Sequence, residues 1–169
     1  MDYAEYLEAF LSCRGHAESA PDGGFSLPGD TPHYARDKVV DYKHFRLDIS
    51  LDLDAKRVAG TVAHTFSAIN EGVTSIDLDQ RDLEITDVRI ADGDALKFSV
   101  EDGRLKIEFP QALEPGKDVT ISVEYGGSPR RGLYFIGPDA QYPDKRKEAW
   151  TQGEDEDSRH WFPCYDYPN

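Results

Sequence analysis

Hydrophobic and polar positions alternate with a period of two through most of the middle of the chain. Apolar residues occupy every second position from Phe45 to Leu53, and polar residues such as Arg46 and Asp48 separate them. This alternation predicts an antiparallel strand with one face on a core and the other in water. The same kind of pattern recurs at short intervals as far as Tyr125. The further strands expected from it are Val58–Asn70, Ser75–Leu78, Leu83–Ile90, Ala95–Val100, Arg104–Phe109 and Val119–Tyr125.

Turn signals separate these strands. Asp102-Gly103 stands between two of them and is typical of a type I′ hairpin, in which both central residues have positive φ. Alternation fails between Ile85 and Val88, which predicts a β-bulge. Seven short strands at regular spacing indicate an all-β fold, either an antiparallel sandwich or a curled sheet.

The first forty residues have different patterns. Residues 1–13 carry five large apolar residues at helical spacing, which predicts a short amphipathic helix that docks on another element. These residues are Tyr3, Tyr6, Leu7, Phe10 and Leu11. Residues 14–40 are rich in Gly and Pro and are expected to form a linker or an extended arm. The chain is therefore divided into the helix, the arm and a β-sandwich domain over residues 41–169.

The charge of the chain restricts its partners. It has 19 Lys and Arg against 33 Asp and Glu among 169 residues, a formal net charge of −14. Nucleic acid and anionic membrane surfaces are excluded as partners by the sign of this charge. No apolar run approaches the roughly 20 residues of a membrane-spanning helix. The two cysteines, Cys13 and Cys164, are expected to stay reduced, and the cytoplasm is the expected location.

Motifs of autonomous catalysis are absent from the sequence. The five histidines form no H-x-x-x-H pair, and the cysteines lack zinc-site spacing. A nucleophile elbow, a P-loop and a dinucleotide fingerprint are missing as well. We therefore expect neither catalytic residues nor metal ligands in this chain. His64, within the second predicted strand, is expected at a surface or edge position.

The segment from Trp150 to Asn169 has the most distinctive composition. It contains both tryptophans and four consecutive acids, Glu154 to Asp157. The acids form either a solvated charge run or a carboxylate directed into a cleft, where it would bind a cation such as a substrate amine. A Ca²⁺ loop is disfavoured because the acids do not alternate around a glycine turn.

Five sequence pieces, in order, resemble the N-terminal domain of the aminopeptidase N family of zinc metallopeptidases, the gluzincins. Most specific are Thr151-Gln-x-Glu154 and Arg159-x-x-Phe-Pro-Cys-x-Asp-x-Pro168. The others are Gly60-Thr-Val, Glu124-Tyr125 and Arg131-Gly-Leu-Tyr-Phe135. The resemblance extends over residues 42–169. It implies a saddle-like antiparallel β-sandwich that packs against the protein's own downstream catalytic domain.

The same resemblance implies a role for individual residues. Glu154 would bind the free α-amine of a peptide substrate, and Gln152 would line the first specificity pocket. The residues implied to be architectural are Arg159, Pro163, Asp166 and Pro168. Zinc would belong to the full-length protein, with its ligands beyond residue 169, so we expect this chain to be inactive alone and its parent to be a zinc aminopeptidase.

Two other functions fit the sequence. The first is a non-catalytic β-sandwich interaction module, such as a zinc-less relative, whose acidic loop binds a basic protein partner. The second is a carbohydrate-binding sandwich, suggested by Trp150 and Trp161.

Overall fold

A computed structural model describes residues 36–91 and 93–167. Nine strands and one turn of 3₁₀ helix are present in these residues. The predicted helix of residues 1–13 and most of the arm lie outside the described residues. The strands are β1 (Val40–Asp52), β2 (Arg57–Ala68), β3 (Ser75–Asp79), β4 (Leu83–Ile90), β5 (Lys97–Glu101), β6 (Arg104–Glu108), β7 (Asp118–Gly127), β8 (Leu133–Ile136) and β9 (Glu148–Thr151). The 3₁₀ helix is Ser158–His160.

The strands form two facing sheets and a separate ribbon. The first sheet has the order β1-β2-β7-β4, the second has the order β3-β6-β5, and β8 pairs with β9. Every strand pair among them is antiparallel. The predicted all-β antiparallel sandwich is confirmed.

The core lies between the inner faces of the two sheets. Val62 of β2 is in register with Val123 of β7, which is in register with Val88 of β4, and all three are fully buried. Leu105 and Ile107 of β6 contribute the same kind of buried side chain from the second sheet. Full burial of each such side chain stabilises the fold by about 1.5–3 kcal/mol.

Two local predictions are confirmed at the level of the backbone. The register of β4 against β7 shifts between Ile85 and Asp87, where the loss of alternation predicted a bulge. Asp102 and Gly103 have φ angles of 49° and 77°, the positive values that a type I′ turn requires. Strand β9 was not predicted, because its four residues are too short for a visible alternation.

Residues 161–166, called the closing segment below, complete the second layer of the sandwich beneath β1. The amide of Asp79 donates to the carbonyl of Cys164 at 2.6 Å, and the amide of Cys164 donates back to the carbonyl of Asp79 at 3.0 Å. The ring of Phe162 lies 5.6 Å from that of Phe45 on β1. Phe162, Pro163 and Cys164 of the closing segment are therefore part of the core.

His64 contradicts its predicted surface or edge position. Strand β2 lies between β1 and β7, and His64 is 3% exposed. Its Nε2 lies 2.8 Å from the carbonyl oxygen of Pro163. Burial lowers the pKa of His64 to about 4, although the hydrogen bond to Pro163 acts in the opposite direction. The imidazole is thus neutral near pH 7, and its Nε2–H donates to the closing segment.

The part of the chain that the structure describes contains no helix long and apolar enough to cross a membrane.

Candidate functional site

The four consecutive acids lie on a loop of residues 152–157, called the acidic loop below, which joins β9 to the 3₁₀ helix. The loop borders an open groove with a volume of about 640 Å³. Acidic and basic side chains together line this groove. They are Arg81, Arg131, Glu154, Asp155, Glu156, Asp157, Arg159 and His160.

The backbone holds the acidic loop at its base. The amide of Gln152 donates to the carbonyl of Gly132 at 2.9 Å, which attaches the start of the loop to the residue before β8. The amide of Asp157 donates to the carbonyl of Gly153 at 3.0 Å and closes the loop on itself. Beyond the loop, the amide of Arg81 donates to the carbonyl of Arg159 at 2.9 Å. These bonds fix the loop relative to the rigid strands.

Arg159 organises the chain that follows the acidic loop. Its Nε lies 3.1 Å from Oδ2 of Asp166, and its Nη2 donates to the carbonyl of Asp166 at 2.8 Å and to Oε2 of Glu156 at 2.5 Å. The amide of Asp166 in turn donates to Oδ2 of Asp79, a residue only 2% exposed. Burial lowers the pKa of Arg159, but the hydrogen bond to Asp166 and the charges of Asp79 and Glu156 outweigh it, so that the pKa is raised.

The four acids of the loop divide into two pairs with different surroundings. Glu156 binds Arg159, and Oδ1 of Asp157 lies 3.4 Å from Nε of Arg131. Glu154 and Asp155 are exposed, and neither forms an ion pair with another of the described residues. A fully solvated charge run, one of the two interpretations of the four acids, does not describe Asp157, whose side chain is 14% exposed.

The two residues predicted to bind substrate both lie in the first half of the acidic loop. Gln152 follows β9 directly and is exposed, and Glu154 follows two residues later as part of the groove lining.

The aromatic residues on either side of the loop have different environments. Trp150 is 49% exposed and stacks on Tyr134, with ring centroids 4.5 Å apart. Trp161 packs against Phe162 at 4.6 Å and belongs to the closing segment.

The side chains near the groove do not form a zinc site. Within residues 36–91 and 93–167, no three His, Cys, Asp or Glu side chains lie close enough to bind one metal ion. His160 is the histidine of the groove, and its Nε2 lies 3.9 Å from Oδ1 of Asp157. Burial lowers the pKa of His160, with Asp157 acting in the opposite direction. The described residues therefore offer charge and hydrogen bonds, and they do not fit a bound zinc ion.

The motif residues implied to be architectural do make structural contacts. Pro163 is fully buried, and Arg159 and Asp166 bind one another, whereas Pro168 lies outside the described residues. Sequence reasoning missed Asp79 and Gly132. The pattern gave no signal for Asp79, which reads as the polar end of a strand. Gly132 stood within the quoted piece Arg131-Gly-Leu-Tyr-Phe135, but its contact with the acidic loop depends on the fold.

Comparison with known proteins gives one family for this sandwich and its loop. The family model described as the peptidase M1 N-terminal domain matches residues 39–169. Among individual relatives, leukotriene A-4 hydrolase of Xenopus laevis is 23% identical over 146 residues, which are 83% of this chain and 24% of that protein. Leucine aminopeptidase 2 of Candida glabrata is 25% identical over 152 residues, which are 84% of this chain and 23% of that protein.

Solved structures agree on the fold. Yeast LTA4 hydrolase in complex with bestatin matches with a TM-score of 0.66 at 21% identity, over 84% of this chain and 24% of that one. The M1 zinc metallopeptidase from Deinococcus radiodurans matches with a TM-score of 0.62 at 20% identity, over 78% of this chain and 30% of that one. The chain thus spans about a quarter of the length of these relatives.

Proposed function

Because the chain belongs to the family of peptidase M1 N-terminal domains, we propose that it is the N-terminal domain of a zinc aminopeptidase. The whole protein would release N-terminal residues from peptides. In this proposal Glu154 binds the free α-ammonium of the peptide, and Gln152 lines the pocket for its first side chain. The partners are the peptide substrate and the protein's own catalytic domain.

The observation that carries the proposal is the division of charge within the acidic loop. Arg159 and Arg131 hold Glu156 and Asp157, while Glu154 remains exposed without a cation among the described residues. A carboxylate that the fold leaves uncompensated is available to an incoming ammonium group. The resulting contact is a charge-assisted hydrogen bond, which gains strength when the rest of a cleft excludes water.

A fixed carboxylate also explains the removal of single residues. An exopeptidase must hold the ammonium group of its substrate at a set distance from the scissile carbonyl, and correct placement contributes much of the rate. The acidic loop suits this task because its start is bonded to the carbonyl of Gly132 and its far end, Asp157, is bonded back to the carbonyl of Gly153. The M1 zinc metallopeptidase of Deinococcus radiodurans has been crystallised with a Tyr-Ser-Ala substrate, which is the class of ligand proposed for this protein.

The chemistry assigned to this chain is limited to binding and orientation. Since the described residues do not fit a zinc ion, zinc and its ligands would come from the remainder of the protein. We assign no bond-breaking step to the chain, and the sandwich alone should not hydrolyse peptides.

Replacement of Glu154 in the whole protein tests the proposal. Glu154→Gln and Glu154→Ala should raise KM for substrates with a free amine and should reduce kcat/KM by about 2–4 kcal/mol of transition-state stabilisation. The measurement is steady-state hydrolysis of amino-acid anilides. Asp155→Asn is the matched control, because Asp155 is an adjacent exposed acid without an ion pair and should have little effect on KM.

Two outcomes would count against the proposal. Equal kinetics for the wild type and both Glu154 variants would show that this carboxylate does not hold the amine. A whole protein that cleaves no free-amine peptide, but binds basic proteins through the acidic loop, would instead favour a non-catalytic interaction module.

A further inference from the structure

We infer that Gly132 is a positioning residue that sets the location of Glu154. The inference rests on the proposed function of Glu154, because it concerns how that carboxylate is held. Gly132 lies in the chain before β8 and is itself buried, so it does not face the groove. Its influence on Glu154 must pass through the backbone of the acidic loop.

The contact between Gly132 and the far end of the loop leaves no room for a side chain. A Cβ atom on Gly132 would lie 2.0 Å from the carbonyl oxygen of Asp157 and 2.8 Å from Cδ1 of Trp161. The φ angle of Gly132 is +76°, a conformation that other residues adopt at a cost. The obstructing atom is a backbone oxygen, so it can move only if the loop moves.

The near end of the loop is bonded to the same residue. The carbonyl of Gly132 accepts the amide of Gln152 at 2.9 Å. Gly132 therefore contacts residues 152 and 157, which bracket Glu154 on both sides. The neighbouring Arg131 adds an ion pair to the side chain of Asp157, with 3.4 Å between Nε and Oδ1.

Gly132→Ala should displace the loop without removing any charged group. To bring the new Cβ to an ordinary contact distance, the backbone at Asp157 must retreat by at least about 1 Å, since real Cβ atoms avoid contacts below 3.0 Å. A misplacement of that size in a substrate-positioning group can reduce the rate by about a hundred-fold.

Gly116→Ala is the matched control for backbone conformation. Gly116, in the turn before β7, has a φ angle of +73°, and a Cβ built on it meets nothing within 4 Å. Both alanine variants bear the strain of a positive φ, but only Gly132→Ala has the steric conflict. Any difference between the two variants therefore reports the contacts of residue 132 with Asp157 and Trp161, of which the contact with Asp157 is the closer.

The first measurement is amide hydrogen exchange of the chain itself, followed by NMR. In Gly132→Ala the amide of Gln152 should exchange at least about ten-fold faster than in Gly116→Ala, with the amides of β2 and β7 unchanged. Equal exchange at Gln152 in the two variants would overturn the inference. This readout does not depend on catalysis.

The second measurement is hydrolysis by the whole protein. Gly132→Ala should raise KM for free-amine substrates by at least about ten-fold, and adding Glu154→Ala should cause no loss beyond that of Glu154→Ala alone. Independent, additive losses would contradict a role that acts through Glu154. Glu154→Ala could leave the kinetics unchanged while the amide of Gln152 exchanges faster in Gly132→Ala than in Gly116→Ala. In that case the proposed function fails, but the conclusion that Gly132 holds the acidic loop in place is kept.

A second variant covers the case in which Gly132→Ala does not fold. Asp157→Asn removes the ion pair with Arg131 but introduces no steric conflict. It should raise KM in the same direction by a smaller factor, about three-fold. An unchanged KM in a folded Asp157→Asn protein, together with unfolded Gly132→Ala, would show that Gly132 serves stability rather than positioning.

Discussion

His64 and Pro163 are separated by 99 residues in sequence, and the Nε2 of the first lies 2.8 Å from the carbonyl oxygen of the second. The bond joins β2, in the interior of the first sheet, to the closing segment of the second layer. A carbonyl oxygen can only accept a hydrogen bond, so the neutral imidazole must carry its proton on Nε2. The contact attaches the segment that follows the acidic loop to the core.

The burial of His64 predicts that the protein loses stability in mild acid. The pKa of His64 is lowered from 6.5 to about 4 in the folded state, so the unfolded chain binds the proton more readily between these values. Stability should be independent of His64 above pH 6.5 and should fall by about 3 kcal/mol as the pH drops to about 4. Urea unfolding at several pH values, in the wild type and in His64→Gln, measures this contribution.

His44→Gln is the control for that experiment. His44 lies on the exposed surface of β1, so its replacement measures the effect of losing an imidazole that is not buried. A His64→Gln protein with the same pH dependence as the wild type would contradict the assigned burial.

Arg159 is bonded to Glu156 and Asp166, and Asp166 is bonded to Asp79, so removal of the Arg159 guanidinium should strongly reduce the stability of the protein. Arg159→Ala would remove the guanidinium that binds the largely buried Asp166 carboxylate and balances the charge of Asp79, and breaking a buried ion pair in this way typically costs about 3–5 kcal/mol of stability. Arg159→Lys should recover only part of this loss, because an ammonium group cannot reproduce the fork of the guanidinium. Chemical denaturation measures both variants.

Arg46 provides a contrasting ion pair on the same protein. Its side chain is 75% exposed and its Nη2 lies 3.9 Å from Asp48, so Arg46→Ala should hardly change stability. If Arg159→Ala were as mild as Arg46→Ala, the network would not be a structural support.

The closing segment is predicted to be part of the folding core. Phe162 is 6% exposed and packs against Phe45 and Trp161, so Phe162→Ala should destabilise the protein by about 3–4 kcal/mol. Phe98→Ala, on the edge strand β5 where the side chain is 36% exposed, should cost clearly less. Equal thermal stabilities of the two variants would show that the closing segment packs loosely.

One part of the candidate site could be predicted from local sequence, and another part depends on residues that are distant in the chain. The resemblance of Thr151-Gln-x-Glu154 to a known motif indicated the acidic loop, and the structure shows that loop beside a groove. Which of its acids are neutralised could not be predicted, because Arg131 and Arg159 approach the loop from either side of it in the chain. The roles of Gln152 and Glu154 in substrate binding, and the cytoplasmic location, remain predictions.

The sequence by itself determined strands β1 to β7, the type I′ turn at Asp102-Gly103 and the bulge near Ile85, because each depends on a few neighbouring residues. It also placed His64 on the same face as Val62 and Phe66, yet His64 was expected at a surface or edge position. Only the tertiary structure decided that this face is covered, that the aromatic closing segment belongs to the core, and that Gly132 meets both ends of the acidic loop. Those facts depend on which segments, distant in the chain, come within hydrogen-bonding or van der Waals distance of one another. A local sequence pattern does not predict such contacts.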